Sequence, residues 1–182
     1  MQHIKSKSNL FSKVLIQQNR RYTTGNVISN NYLFGDQFGK SHTSKDIFDN
    51  KKVVVFGIPG NNPTDDFHQI PSFVKNVDKF YNKGIDNVIC LQSADAAILR
   101  AKSISLDPLR TIGFLQDKDC KFAVDNALTE DEYLKGLGTE SPVHEFKRFA
   151  LIIDNGRIVF ESVEKDPTDY EHTTADVVLK QL

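Results

Sequence analysis

The chemistry this sequence can offer lies in two thiols and in a group of acids beside a turn. Cys90 and Cys120 are the only cysteines in 182 residues, too few for a disulfide framework or a four-ligand zinc site. Cys90 sits in the apolar run Asn87-Val88-Ile89-Cys90-Leu91, where a thiol packs as a small hydrophobe. Cys120 sits in Asp117-Lys118-Asp119-Cys120-Lys121, a polar turn that suggests exposure. There the aspartates would oppose a thiolate and the lysines would favour one. Both are candidate redox thiols, because a thiolate can be oxidised to sulfenic acid and reduced back. Asp65, Asp66 and His68 follow the turn Pro59-Gly60-Asn61-Asn62-Pro63. Acids in a helix's first turn complement its dipole by about 0.3–1 kcal/mol, and no third ligand is placed to make them a metal site. No Walker loop, dinucleotide fingerprint, His-Glu-x-x-His or Gly-x-Ser-x-Gly is present. Neither cofactor nor metal is expected.

The elements that would position these groups begin near Lys51. Val53–Ile58 is a continuous β-branched and aromatic run, as expected of a strand buried on both faces. Phe67, Ile70, Phe73, Val74, Val77, Phe80 and Tyr81 recur at spacings of three and four, which predicts one amphipathic helix ending near Gly84. Residues 87–91 and 111–115 read as further strands, and residues 94–102 and 122–128 as helices. Phe149–Ile153 and Arg157–Val163 flank Asp154-Asn155-Gly156, a strong hairpin signal. Residues 173–182 close the chain as a helix. The order β-α-β-α-β-α-β-β-α predicts an α/β domain with a mixed central sheet, helices on both faces, and a C-terminal hairpin and helix. A thioredoxin-like fold has this order.

In such a sheet the site belongs at the loop leaving a strand's carboxyl end, here Phe56-Gly57-Ile58-Pro59-Gly60 and onward. That segment, with Pro63-Thr64 and a proline inside the following helix, resembles the active-site segment of the peroxiredoxins of type 5 (type II). Further similarity lies in Lys83–Cys90 with Ser93–Ala96, in Gly113–Asp117, in Lys147–Asp154 and in Thr173–Leu182. The resemblance covers residues 45–182. It implies a thiol peroxidase that depends on thioredoxin or glutaredoxin, yet the peroxidatic cysteine is absent: no cysteine precedes Val88. Asp65 falls at the cysteine position and Asn62 at the threonine position. A gap placed after Thr64 puts Asp66 at the cysteine position instead. Pro59, Gly60 and the peroxide-orienting arginine, Arg148, are retained as binding residues. Some family members carry a C-terminal resolving cysteine near the place of His172. A carboxylate has no sulfenic acid cycle, so the resemblance implies a pseudoenzyme that binds or regulates. The alternative is a thiol-dependent redox protein using Cys120 or Cys90.

Charge separates the amino terminus from the rest. Residues 1–35 hold Lys5, Lys7, Lys13, Arg20 and Arg21 and no acid. The remainder then has 18 basic and 24 acidic residues, a balance of −6 that argues against nucleic acid as a partner. Ile4, Leu10, Phe11, Val14, Leu15 and Ile16 can share one helix side opposite the cations, the pattern of a mitochondrial transit peptide. We expect residues 1–22 to be that peptide, residues 23–44 a loose segment and residues 45–182 the domain, located in the mitochondrial matrix. No run approaches the ~18 apolar residues of a membrane span. The resemblance implies a homodimer, with a heterodimer with an active peroxiredoxin as an alternative.

Overall fold

The computed structural model describes residues 24–60, 62–132 and 143–182. Its strands are β1 (Leu33–Asp36), β2 (Ser41–Thr43), β3 (Lys52–Gly57), β4 (Asn87–Gln92), β5 (Gly113–Asp117), β6 (Thr129–Glu132), β7 (Val143–Phe146), β8 (Phe149–Asp154) and β9 (Arg157–Val163). The α-helices are α1 (Ser44–Phe48), α2 (Ile70–Lys75), α3 (Val77–Asn82), α4 (Ala96–Leu106), α5 (Lys121–Asp125) and α6 (Ala175–Leu179). A π-helical turn, Asp65–Gln69, leads into α2. Seven strands form one sheet in the order β2-β1-β5-β4-β3-β8-β9, and β6 and β7 form a separate pair. Strands β3, β4 and β5 are mutually parallel, while β8 and β1 add antiparallel neighbours on either side. This is the mixed, doubly covered sheet expected of a thioredoxin-like fold.

The apolar runs are continuous because successive side chains enter two separate cores. Val53 and Val55 of β3 and Leu151 and Ile153 of β8 face one core, with Phe48, Phe122 and Phe146. Val54, Phe56, Ala150, Ile152 and Cys90 face the other, under Ile70, Phe73 and Phe80. The hairpin between β8 and β9 turns through Asn155 and Gly156, both at positive φ (47° and 73°), as an Asn-Gly turn requires.

Three expectations need correction. Residues 23–44 are not a loose segment throughout: β1 pairs with β5 in register from Phe34↔Asp117, and β2 pairs with β1. Tyr32 and Phe34 bury their rings against Phe122, which holds this hairpin to the core. The single helix expected over residues 67–81 is broken. Its first turn is π-helical and a second break falls at Asn76, whose side-chain amide donates to the Ser72 carbonyl at 2.9 Å. The cause of the first break is Pro71, which has no N–H for the Phe67 carbonyl and crowds it. The preceding Ile70 N–H accordingly bonds five residues back, to the Asp65 carbonyl. The third correction concerns Cys120, described below.

Candidate functional site

The site is built where β3 gives out. Ile58 N–H still donates to the Leu91 carbonyl of β4 at 3.1 Å, which pins the exit of the loop. Gly60 lies at φ +100°, a conformation that suits glycine, and its N–H donates to Asp65 Oδ2 at 2.8 Å. Asn62 closes the turn: its Oδ1 accepts from Thr64 N–H at 2.9 Å and its carbonyl from Asp65 N–H at 2.9 Å. Its own N–H approaches Asp65 Oδ2 at 3.4 Å. Asp65 is thereby held, fully buried, at the start of the helical segment.

Arg148 arrives from far along the chain by sheet pairing. It immediately precedes β8, whose Phe149 lies opposite Gly57, so its side chain meets the loop leaving β3. Its Nη1 lies 2.7 Å from Asp65 Oδ1, and both side chains are wholly inaccessible to solvent. Nη1 also donates to Gln69 Oε1, and this is the aligned hydrogen bond. The Asp65 Oδ1 contact is an ion pair without an aligned N–H. Nε and Nη2 both donate to the Pro167 carbonyl, at 3.2 and 2.7 Å. Asn62 Nδ2 donates to the same carbonyl at 3.3 Å, and Thr64 Oγ1 donates to the Thr168 carbonyl at 3.4 Å. Two buried opposite charges tolerate desolvation only when paired and hydrogen-bonded, and removing one partner of such a pair costs about 3–5 kcal/mol.

The two aspartates part company. Asp66 turns outward to Lys102 of α4, with which it forms an ion pair, while Asp65 turns inward to Arg148. Phe67 is 76% exposed, and His68 lies against the Tyr170 ring with centroids 6.3 Å apart. Pro59 and Gly60 are half-buried at the rim.

Neither thiol reaches this pair as a reactive group. Cys90 is fully buried, and burial, with the nearby Asp65 charge second, pushes its pKa well above the ordinary thiol value. Cys120 is buried too, contrary to expectation. The chain passes Asp119 and Cys120 at φ 58° and 53°, and this left-handed bend turns the thiol inward to the His144 carbonyl at 3.6 Å. Burial and then Asp117 push its pKa up to about 11.

Sequence reasoning missed Gln69, Lys102 and Pro167. Gln69 had one usable signal: it stands four residues after Asp65, on the same side of the helical segment. Pro167 acts through its backbone carbonyl, for which residue type carries no signal. Chemically, the guanidinium has its charge matched and most of its donors committed within the protein. A small polar ligand entering here would have to displace Asp65, Gln69 or the Pro167 carbonyl.

A family model described as Redoxin matches residues 25–179. "Peroxiredoxin-2F, mitochondrial" of Arabidopsis thaliana is 35% identical over 138 residues, covering 75% of this chain and just 66% of that protein's length. Its namesake in Oryza sativa subsp. japonica is also 35% identical, over 140 residues, with 76% of this chain and 68% of the rice protein covered. Among solved structures, reduced Prx3 from Vibrio vulnificus in complex with hydrogen peroxide aligns with a TM-score of 0.75 and 28% identity. That alignment covers 87% of this chain and 98% of the bacterial one.

Proposed function

Because the chain belongs to the redoxin family, as a type 5-like peroxiredoxin, we propose that it is a mitochondrial pseudoenzyme whose peroxide pocket is filled by its own side chains. The observation that carries this reading is the buried Asp65–Arg148 pair, at 2.7 Å. In a working peroxiredoxin the helix start and an arginine together stabilise a thiolate, so the pocket is built electropositive. Asp65 supplies a negative charge of matching sign, accepts a loop N–H as a thiolate would, and satisfies the arginine. The inward turn of Asp65 and the outward turn of Asp66 favour Asp65 as the residue in the cysteine's place. Carboxylate oxygen cannot attack peroxide and be restored by a thiol, so turnover by the family mechanism ends here. The protein then acts by binding or regulation, as a homodimer or as the partner of an active peroxiredoxin.

The competing thiol-dependent activity would need Cys90 or Cys120, and the burial and raised pKa values of both weigh against it. Mitochondrial localisation, which we place in the matrix, draws support at the level of the organelle from the names of the two plant relatives and from the basic, acid-free residues 1–22, which lie outside the described residues. A peroxide-consumption assay with dithiothreitol tests the reading. We expect no consumption above the buffer rate from the native chain or from its Cys90→Ser and Cys120→Ser variants. Sustained turnover that one of these substitutions abolishes would replace our reading with the thiol-dependent one.

A further inference from the structure

Between β9 and α6 the chain does not take a short path. Residues 165–169 run exposed over the buried Arg148, with Pro167 and Thr168 turning their carbonyls inward to the site. The segment makes its own turn: Asp166 Oδ1 accepts from Thr168 N–H, and Asp169 N–H donates to the Asp166 carbonyl at 3.0 Å. Its ends are tied differently. The entry is part of the sheet margin, since Glu164 N–H donates to the Arg148 carbonyl at 2.9 Å. The exit is gathered onto a single oxygen. Glu164 Oε1 accepts from three consecutive backbone N–H groups, Glu171 at 2.9 Å, His172 at 2.7 Å and Thr173 at 2.8 Å, and from the Thr173 hydroxyl at 3.0 Å. Ser162 Oγ adds a bond to the His172 carbonyl at 2.8 Å.

We propose that residues 165–172 are a latched strap that shuts the Arg148 pocket, and that the Glu164 carboxylate is the latch. Successive N–H groups converging on one oxygen form a nest suited to a negative charge, and charge-assisted bonds are about twice as strong as neutral ones. The carboxylate fills that nest from within the chain and is itself buried. The inward bonds of Pro167 and Thr168 end on Asn62, Thr64 and Arg148, and Tyr170 adds a ring contact to His68, so a lifted strap gives up these contacts and uncovers Arg148 while the two cores stay packed. This inference rests on the strap's own contacts and holds whether or not the site turns over peroxide. Its failure and that of the function proposed above would therefore appear in different measurements.

The test is native-state hydrogen exchange together with arginine modification by phenylglyoxal, on the full chain and on Glu164→Ala and Glu164→Gln. In Glu164→Ala we expect the Glu171, His172 and Thr173 amides to exchange at least tenfold faster while those of β3 and β8 keep their native rates. Arg148, unreactive in the native protein, should then be modified. Glu164→Gln keeps an oxygen acceptor without the charge and should fall between the two. Sodium formate at tens of millimolar, which restores a carboxylate to the nest, should slow exchange at these three amides in Glu164→Ala. Three results would each overturn the proposal: unchanged exchange at the three amides, a loss of protection spread equally over β3 and β8, or an Arg148 that stays unreactive after the strap amides open. Should Glu164→Ala fail to fold, Glu164→Gln decides by the same readings.

Discussion

Burial sets the ionisation of Asp117 and of both thiols. Asp117 ends β5 with both carboxylate oxygens on α5 amides, accepting from Phe122 N–H at 3.0 Å and Ala123 N–H at 2.8 Å. Desolvation nevertheless outweighs those bonds and raises its pKa from 3.8 to about 6. The folded state therefore holds more protons than the unfolded state between roughly pH 4 and 6, so this residue's contribution to stability falls as pH rises through that window. At about 1.4 kcal/mol per pKa unit, the change is on the order of 2–3 kcal/mol. Asp117→Asn should remove that slope from urea-derived stability curves while costing one backbone acceptor. A variant curve parallel to the native one would refute the assignment. The thiols answer to the same physics: with Cys90 and Cys120 both buried, the native protein should react with an aromatic disulfide reagent far more slowly than the urea-unfolded chain. Fast native reaction of one thiol equivalent would show that Cys120 reaches solvent.

Elements were legible where packing writes a pattern, and illegible where a single contact decides. β3, β4 and β8 announced themselves as apolar runs because both sheet faces are buried, and β9 through the Asn-Gly turn before it. β1 and β2 did not, since Leu33–Asp36 and Ser41–Thr43 are three or four residues among asparagines and glycines. β6, with the sequence Thr-Glu-Asp-Glu, has no apolar alternation and exists through its pairing with β7. The break at Asn76 was hidden because Val77, Phe80 and Tyr81 keep the spacing of three and four. At the site, Asp65 and Arg148 could be named from the motif resemblance, but that Asp65 and not Asp66 turns inward to Arg148 was visible only in the structure, and the Pro167 carbonyl left no mark in the sequence. The approach of β3 to β8 gives a test at this scale. A Cβ at Gly57 would lie 2.1 Å from the Phe149 ring, which is fully buried and has nowhere to go. Gly57→Ala should lower stability by about 1–3 kcal/mol or more, read as a lower thermal midpoint. An unchanged midpoint would mean that this strand pair is looser than described. Asp65→Cys places a thiol in this site, but Asn62 and the shortened loop between Pro59 and Pro63 still differ from the peroxiredoxin pattern. We expect no peroxidase activity from that variant, and vigorous turnover would locate the whole deficit in one residue.

The whole molecule joins a family fold to a site closed upon itself, with the strap outside and an ion pair inside. If residues 1–22 address it to mitochondria, a fusion of residues 1–30 should enter the organelle and mass spectrometry should find the mature chain starting near Thr23. An intact Met1 in the organelle protein would end that claim. A dimer by sedimentation at micromolar concentration is expected from the proposal of a homodimer, and a monomer would end it. The central claim is the energetic bond between Asp65 and Arg148, and a double-mutant cycle measures it most directly. Urea unfolding of Asp65→Ala, Arg148→Met and the double variant should give single losses of about 3–5 kcal/mol, because each leaves a buried charge alone. The double variant should lose less than the sum of the two, with a coupling of about 1–3 kcal/mol. Losses that add, with no coupling, would contradict the account, since the two charges would then not compensate each other inside the protein.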